Sequence, residues 1–340
     1  MAVNPENPPR IPRVVVLGAT GFVGSAVLRE LAGMPVRLRA VARHAAPVPE
    51  GALADVEVHT ADLTEPGAMT DAVADADVVV HTVAYIAGAS TWRVSDGDSA
   101  AERVNVGLVR DLVAALRGTG RTGPPPAVLF TGAASQVGPL DKDVLDGSEP
   151  DRPAGEYDRQ KLAAERTLLE AHAEGVLRGA SLRLPTVFGY GPRSTARDKG
   201  VVTTMVRKAL AGEPITMWHD GTVRRDLLYV EDVARAVVAA IGRMDELAGK
   251  HWLLGTGEGR PLGRVFETVS RLVAEETGKQ PVPVTSVEPP AHAEKGDFRS
   301  VTIDATAFRT VTGWRPATPL EDALRATVAF CAAGREGELS

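Results

Sequence analysis

Four apolar residues, Val14-Val15-Val16-Leu17, stop on Gly18 and run on as Ala19-Thr20-Gly21-Phe22-Val23-Gly24. Apolar residues then recur at Ala26, Val27 and Leu31. A short unbroken apolar run suits a strand covered on both faces, as in a parallel sheet. The later spacing is helical. Strand, glycine turn and helix in that order limit the fold more than any other feature of the chain. Glycines so placed allow a tight turn, close approach of backbone N–H groups to a pyrophosphate, and close helix–strand packing. The positive end of the helix dipole then favours the phosphate. This turn supplies a candidate dinucleotide-contacting set of Gly18, Thr20, Gly21, Phe22, Val23 and Gly24.

Further strands are expected at about 36–41, 56–59, 77–81 and 127–131, with helical spacing between them at 66–74 and 104–116. Alternating β and α units predict an α/β fold: a Rossmann-type doubly wound parallel sheet with right-handed crossovers. After Leu184 the pattern loosens into a segment rich in Gly, Pro and Arg, and 223–241 again reads as strand then helix. Residues 1–12 read as a disordered tail, and 13–185 plus 222–256 as the dinucleotide-binding domain. A smaller C-terminal substrate-binding lobe takes 186–221 plus 257–330.

A net charge of −6 without a basic stripe argues against nucleic acid as a partner. The single cysteine, Cys331, excludes a disulfide framework and reads as a small apolar residue of the last helix. The first residues lack the basic start and apolar stretch of a signal peptide, and no run of about 18 apolar residues suggests a membrane span. A cytoplasmic location is expected.

The end of the second strand bears on cofactor choice. A carboxylate there binds the ribose 2′-hydroxyl of NAD, whereas an arginine suits the 2′-phosphate of NADP. The chain has Ala42-Arg43-His44 and no carboxylate until Glu50, which favours NADPH over NAD, although Arg43 can also be a solvated surface residue. Asp62-Leu63, after the third strand, is placed to meet the adenine; Asp62 can equally cap the segment that follows.

Tyr157 and Lys161 stand four residues apart at the start of a helical stretch, so phenol and ammonium share one face. A nearby cation favours phenolate and is expected to lower the Tyr157 pKa. Tyr157 could then act as general acid toward a carbonyl oxygen receiving hydride. The plain alternative is an incidental pair on a surface helix. Thr82 and the segment 85–95, with Trp92 and Arg93, are expected to loop over the site, while His81 reads as a core residue.

GATGFVG, YDRQK, LRLPTVFGYGP at 182–192, RRDLLYVEDVA at 224–234 and GWRPATPLEDAL at 313–324 together resemble the extended short-chain dehydrogenase/reductase family, over roughly residues 13–330. Within it, Ser135-Gln136-Val137-Gly138 and Asp297-Phe298-Arg299-Ser300 look most like reductases that convert dTDP-4-keto-6-deoxyhexoses to 4-hydroxy sugars in natural-product and antibiotic biosynthesis. That resemblance implies Tyr157 as general acid, Lys161 on the nicotinamide ribose, and Thr82 at the substrate. It implies Asn105 at the helix after the fourth strand, and Arg225 and Arg299 as holders of a nucleotide diphosphate. For Arg225 the bland reading is an ion pair with Asp226 or Asp232. The family's usual Ser or Thr on the substrate oxygen falls on Ala133 here. Thr131 and Ser135 are the candidate replacements, with Ser135 preferred as nearer the C-terminal end of the strand. Carboxylates that related dehydratases use fall on Ala134 and Ser135, which disfavours dehydration.

Three activities follow as expectations. The first is NADPH-dependent reduction of the C4 ketone of a dTDP-sugar. The second is a nucleotide-sugar epimerase that retains NAD, and the third a non-catalytic NADP-binding sensor. A homodimer through helices near 105–117 and 157–173 is also implied by the family; Val106, Leu108, Val109, Val113, Leu162 and Leu168 fit that or packing on their own sheet.

Overall fold

The computed structural model describes residues 11–85, 94–118, 120, 123–140, 142–218, 220–290, 293 and 295–338. The first ten residues of the expected tail lie outside this set. One sheet organises the molecule. Its strands are β1 (Arg13–Leu17), β2 (Arg37–Ala42), β3 (Asp55–Thr60), β4 (Val78–His81), β5 (Ala127–Ala133), β6 (Arg178–Leu184) and β7 (His251–Leu253). Their order across the sheet is 3-2-1-4-5-6-7, with every neighbouring pair parallel. The order reverses between β1 and β4, so the crevice of a doubly wound sheet opens there, at the C-terminal strand ends.

The central strands β1, β4 and β5 are largely apolar because both faces are covered, whereas the edge strand β3 is mostly exposed and carries Asp55 and Glu57. Val14 and Val16 belong to one core with Val78, Val80, Ala127 and Leu129; Val15 and Leu17 belong to the other with Val79, Val128 and Phe130. On the first face lie α1 (Phe22–Ala32) and, much later in the chain, Val230–Ile241. On the second lie α2 (Leu108–Arg117) and α3 (Glu156–Ala173). Val106, Leu108, Val109, Val113, Leu162 and Leu168 are all buried within the single chain, so packing already accounts for their apolar character.

The strand and helix expected at 223–241 form as Arg224–Tyr229 and Val230–Ile241, but this strand does not join the main sheet. It pairs with Thr186–Phe188 and Gly259–Pro261 in a separate three-stranded sheet. Two short parallel pairs complete this end of the molecule: Ile215–Met217 with Val284–Ser286, and Val144–Leu145 with Thr302–Ile303. Cys331 is buried on the helix Leu320–Ala332, as its small apolar character suggested. Among the described residues no helix is long and apolar enough to cross a membrane.

Candidate active site

The glycine turn closes on itself. Gly18 has φ 85°, and its N–H donates to the Val41 carbonyl at 2.9 Å. A Cβ on Gly24 would lie 2.1 Å from the Gly18 carbonyl oxygen and 2.6 Å from Thr82 Oγ1, so only glycine fits there. Thr82 Oγ1 donates to the Leu17 carbonyl at 2.8 Å and ties β4 to the turn. α1 opens on Gly21 without a side-chain cap and without an acidic residue in its first turn. Its terminal N–H groups therefore meet no negative side chain of their own turn, a setting that accepts a phosphate. The residues present fit a dinucleotide.

Around the turn, Arg43 is exposed just beyond β2, and Leu63 is buried beyond β3. Asp62 is not the helix cap of its plainer reading: the next helix, Ala68–Ala72, begins on Gly67 without a side-chain cap, and Asp62 instead closes a local turn. Its Oδ1 accepts from Thr64 N at 2.9 Å and Thr64 Oγ1 at 2.7 Å, and these bonds lower its pKa, with Arg43 adding a smaller pull.

α3 carries the catalytic candidates. Lys161 is buried, and its Nζ donates to the Thr131 carbonyl at 2.9 Å, lies 4.7 Å from the Phe130 ring centre and 5.9 Å from that of Tyr157. With no carboxylate beside it, burial pulls the ammonium down to about 7. The expected lowering of Tyr157 is not found. Burial of its hydroxyl end pushes the phenol above its ordinary value, and the Asp158 carboxylate pushes the same way. A lysine whose own charge is so disfavoured by burial exerts too little pull to reverse this. His81 is fully buried against Phe130, with ring centres 5.6 Å apart. Neither of its nitrogens has a hydrogen-bond partner, and burial, then Lys161, drive it to about 3. It is a neutral core residue.

The two hydroxyl candidates do not share a face. β5 ends at Ala133, and Ser135 lies beyond it in a 3-10 turn over Ala134–Val137, where strand alternation no longer applies. Thr131 is buried and donates to the His81 carbonyl at 3.2 Å. Ser135 is exposed, and its Oγ donates to Asp158 Oδ1 at 2.6 Å.

Asn105 is buried in a π-helical stretch, Arg103–Gly107, a local widening often seen at functional sites. It accepts from Tyr85 N at 2.7 Å and donates to Gln160 Oε1 at 2.9 Å, joining the loop after β4 to α3. Residues 86–93 of the expected covering loop, including Trp92 and Arg93, lie outside the described residues.

Arg225 and Arg299 are brought together. Arg225 donates to the carbonyls of Gly296 at 2.9 Å and Asp297 at 3.0 Å, and also to that of Arg299. Arg299 donates to the carbonyls of Gly138, at 2.7 Å, and Lys142. The pairing of Arg225 with Asp226 or Asp232 does not occur: Asp226 accepts from backbone groups of Thr256, Gly257 and Ile303, and Asp232 pairs with Arg235 at 2.6 Å.

One cluster escaped the sequence reading. Arg183, fully buried on β6, pairs with both oxygens of Asp151, at 2.7 and 2.9 Å, and with both of Glu165, at 3.0 and 2.5 Å. Ser181 donates to the same Glu165 at 2.6 Å. Asp151 precedes Tyr157 in the loop into α3, and Glu165 follows Lys161 by one helical turn. The signal was available: a charge set in the run Leu182-Arg183-Leu184, and Tyr157, Lys161 and Glu165 spaced by four.

Comparison with known proteins agrees with this fold. Residues 14–255 match the model of the NAD dependent epimerase/dehydratase family. A dTDP-6-deoxy-L-talose 4-dehydrogenase (NAD(P)(+)) of Kitasatospora kifunensis is 27% identical over 92% of this chain and 93% of its own length. A UDP-glucose 4-epimerase of Azospirillum brasilense is 30% identical over 90% and 87%. Among solved structures, that of MoeE5 in complex with UDP-glucose and NAD superposes with a TM-score of 0.77 at 28% identity, covering 95% of this chain and 99% of that one. With the glycine turn, the strand order and the Tyr157–Lys161 helix in place, the chain belongs to the NAD dependent epimerase/dehydratase family.

Proposed function

We propose that the chain is an NADPH-dependent reductase of the C4 ketone of a dTDP-4-keto-6-deoxyhexose. The observation that carries the reading is Tyr157: burial holds its phenol protonated, at the crevice end of the sheet, beside a lysine fixed on Thr131. Such a group is a proton donor. The likeness to the talose dehydrogenase, which works at C4 of a dTDP-sugar, supports the substrate class.

In this reading Gly18, Thr20, Gly21, Phe22, Val23 and Gly24 hold the pyrophosphate, with Leu63 at the adenine. Arg43 meets the 2′-phosphate, and Lys161 the nicotinamide ribose. When bound, the nicotinamide supplies the hydride. Tyr157 gives its proton to the ketone oxygen, a role worth about 10²–10⁴ in rate. Arg225 and Arg299 exchange backbone carbonyls for the substrate diphosphate, which planar, always-charged donors suit. The lobe formed by 186–221 and 257–330 closes over the sugar.

The test is loss of 340 nm absorbance with NADPH and dTDP-4-keto-6-deoxyglucose, against Tyr157→Phe. Turnover that drops by about 10²–10⁴ in the variant supports the reading. A second reading, an epimerase that retains NAD, is favoured by the likeness to the Azospirillum enzyme. Nucleotide released as NAD⁺ on denaturing the purified protein, with no consumption of NADPH, would establish it instead.

A further inference from the structure

Arg183 holds two carboxylates at once. Its guanidinium makes two bonds to Asp151 and two to Glu165, and each pair is a fork that fixes the plane of the carboxylate as well as its distance. The arginine itself is fully buried. Such a cluster is a poor source of stability. Its charges must be stripped of water to form it, and apolar side chains of similar volume are often as stable or more so. What the forks supply, and apolar contacts do not, is a fixed direction.

That direction bears on the reacting end of α3. Asp151 lies in the chain entering α3 and Glu165 lies within it, so the two forks grip either side of Tyr157 and Lys161. Glu165 stands one helical turn after Lys161, on the same face. Ser181 and Arg183 also fill the space in front of Gly132, where a Cβ would lie 2.7 Å from Ser181 Oγ and 3.2 Å from Arg183 Cγ. Gly132 follows Thr131, whose carbonyl accepts from Lys161 Nζ at 2.9 Å. The cluster therefore touches both the helix that carries the lysine and the strand that receives it. A slip of about 1 Å between the two would spoil that bond, and misplacement on this scale can cost about 10²-fold in rate.

We propose that Arg183, through Asp151 and Glu165, is a positioning residue that sets Tyr157 and Lys161 of α3 against β5, and that it contributes orientation and not stability. The proposal rests on the reductase reading above for its rate measurement.

The experiment compares wild type with Arg183→Met, with Arg183→Met plus Glu165→Leu, and with Asp151→Asn. The double variant leaves no carboxylate alone in the core. Its urea midpoint should recover toward wild type from that of Arg183→Met, while its kcat stays about 10-fold to 100-fold down and the Michaelis constant for the keto-sugar moves less than about threefold. Asp151 is at the open end of the cluster, its side chain 20% exposed, so Asp151→Asn keeps the test alive where the double variant does not fold. It should keep the wild-type midpoint and lose about threefold to tenfold in kcat. A second readout needs no turnover. The fluorescence of bound NADPH should shift toward that of free coenzyme in both variants with little change in affinity, because the nicotinamide end loses its placement on Lys161 while the glycine turn still holds the pyrophosphate. Wild-type rate and emission in the double variant, or rates that simply follow the urea midpoint through the series, overturn the proposal. A wild type that binds NADPH and reduces no keto-sugar removes the substrate reading instead, and the emission then decides the role of Arg183.

Discussion

Lys161 should cost the folded protein stability that activity requires, and replacing it with methionine should reveal the cost. Burial moves the ammonium from 10.5 to about 7. At about 1.4 kcal/mol per unit, the charged form is disfavoured by roughly 5 kcal/mol. The sign follows from where the protons sit. Between the two values the unfolded chain keeps a proton that the folded chain has lost, so stability rises with pH through that window. The penalty is full below the folded value and gone above the unfolded one. Lys161→Met removes it, at the expense of about 1 kcal/mol for the bond to the Thr131 carbonyl. In apo protein the variant should therefore be the more stable at pH 6, and its advantage should shrink by about 3 kcal/mol on going to pH 9. Urea denaturation of both proteins at several pH values measures this, and the comparison does not depend on how well methionine packs. A difference that stays flat from pH 6 to pH 9 would refute the reasoning, because a lysine with an ordinary pKa has no such slope.

Three further outcomes are expected. Gly24→Ala places a methyl group 2.1 Å from the Gly18 carbonyl, so it should cost about 1–3 kcal/mol and abolish NADPH binding in a fluorescence titration. Arg183→Met takes from the buried Glu165 its arginine partner and leaves it the Ser181 hydroxyl, a loss of about 3–5 kcal/mol; adding Glu165→Leu should restore more than half of it in urea melts. Arg43→Ala should raise the Michaelis constant for NADPH about tenfold and leave that for NADH unchanged, since only the former carries the 2′-phosphate.

The parallel sheet was readable because its central strands are covered on both sides and therefore spell themselves as apolar runs; β1, β4 and β5 fell within a few residues of expectation. β6 was harder to see, since Ser181 and Arg183 interrupt it with groups whose partners, Glu165 and Asp151, lie outside the strand. β7 has only three residues, and its neighbour β6 is what makes it a strand. The glycine turn and the Tyr157–Lys161 spacing are local, and so were legible. The fate of Ser135 was not, because a 3-10 turn replaced the strand alternation on which its direction was judged. The direction of the Tyr157 shift failed for a related reason. Spacing says that a cation is near, but only burial says how much charge it still carries.

The ion cluster at Arg183 bears on the order in which the site can come into being. Asp151 and Glu165 are made before the arginine that neutralises them, and β6 finds its outer neighbour only when β7 follows some seventy residues later. A nascent chain that already contains the glycine turn, Tyr157 and Lys161 still carries two carboxylates with nothing to bury against. Fragments cut between 173 and 178 should thus hold the chemistry of the site in sequence while lacking its geometry, and regain it only when the missing piece is supplied in trans.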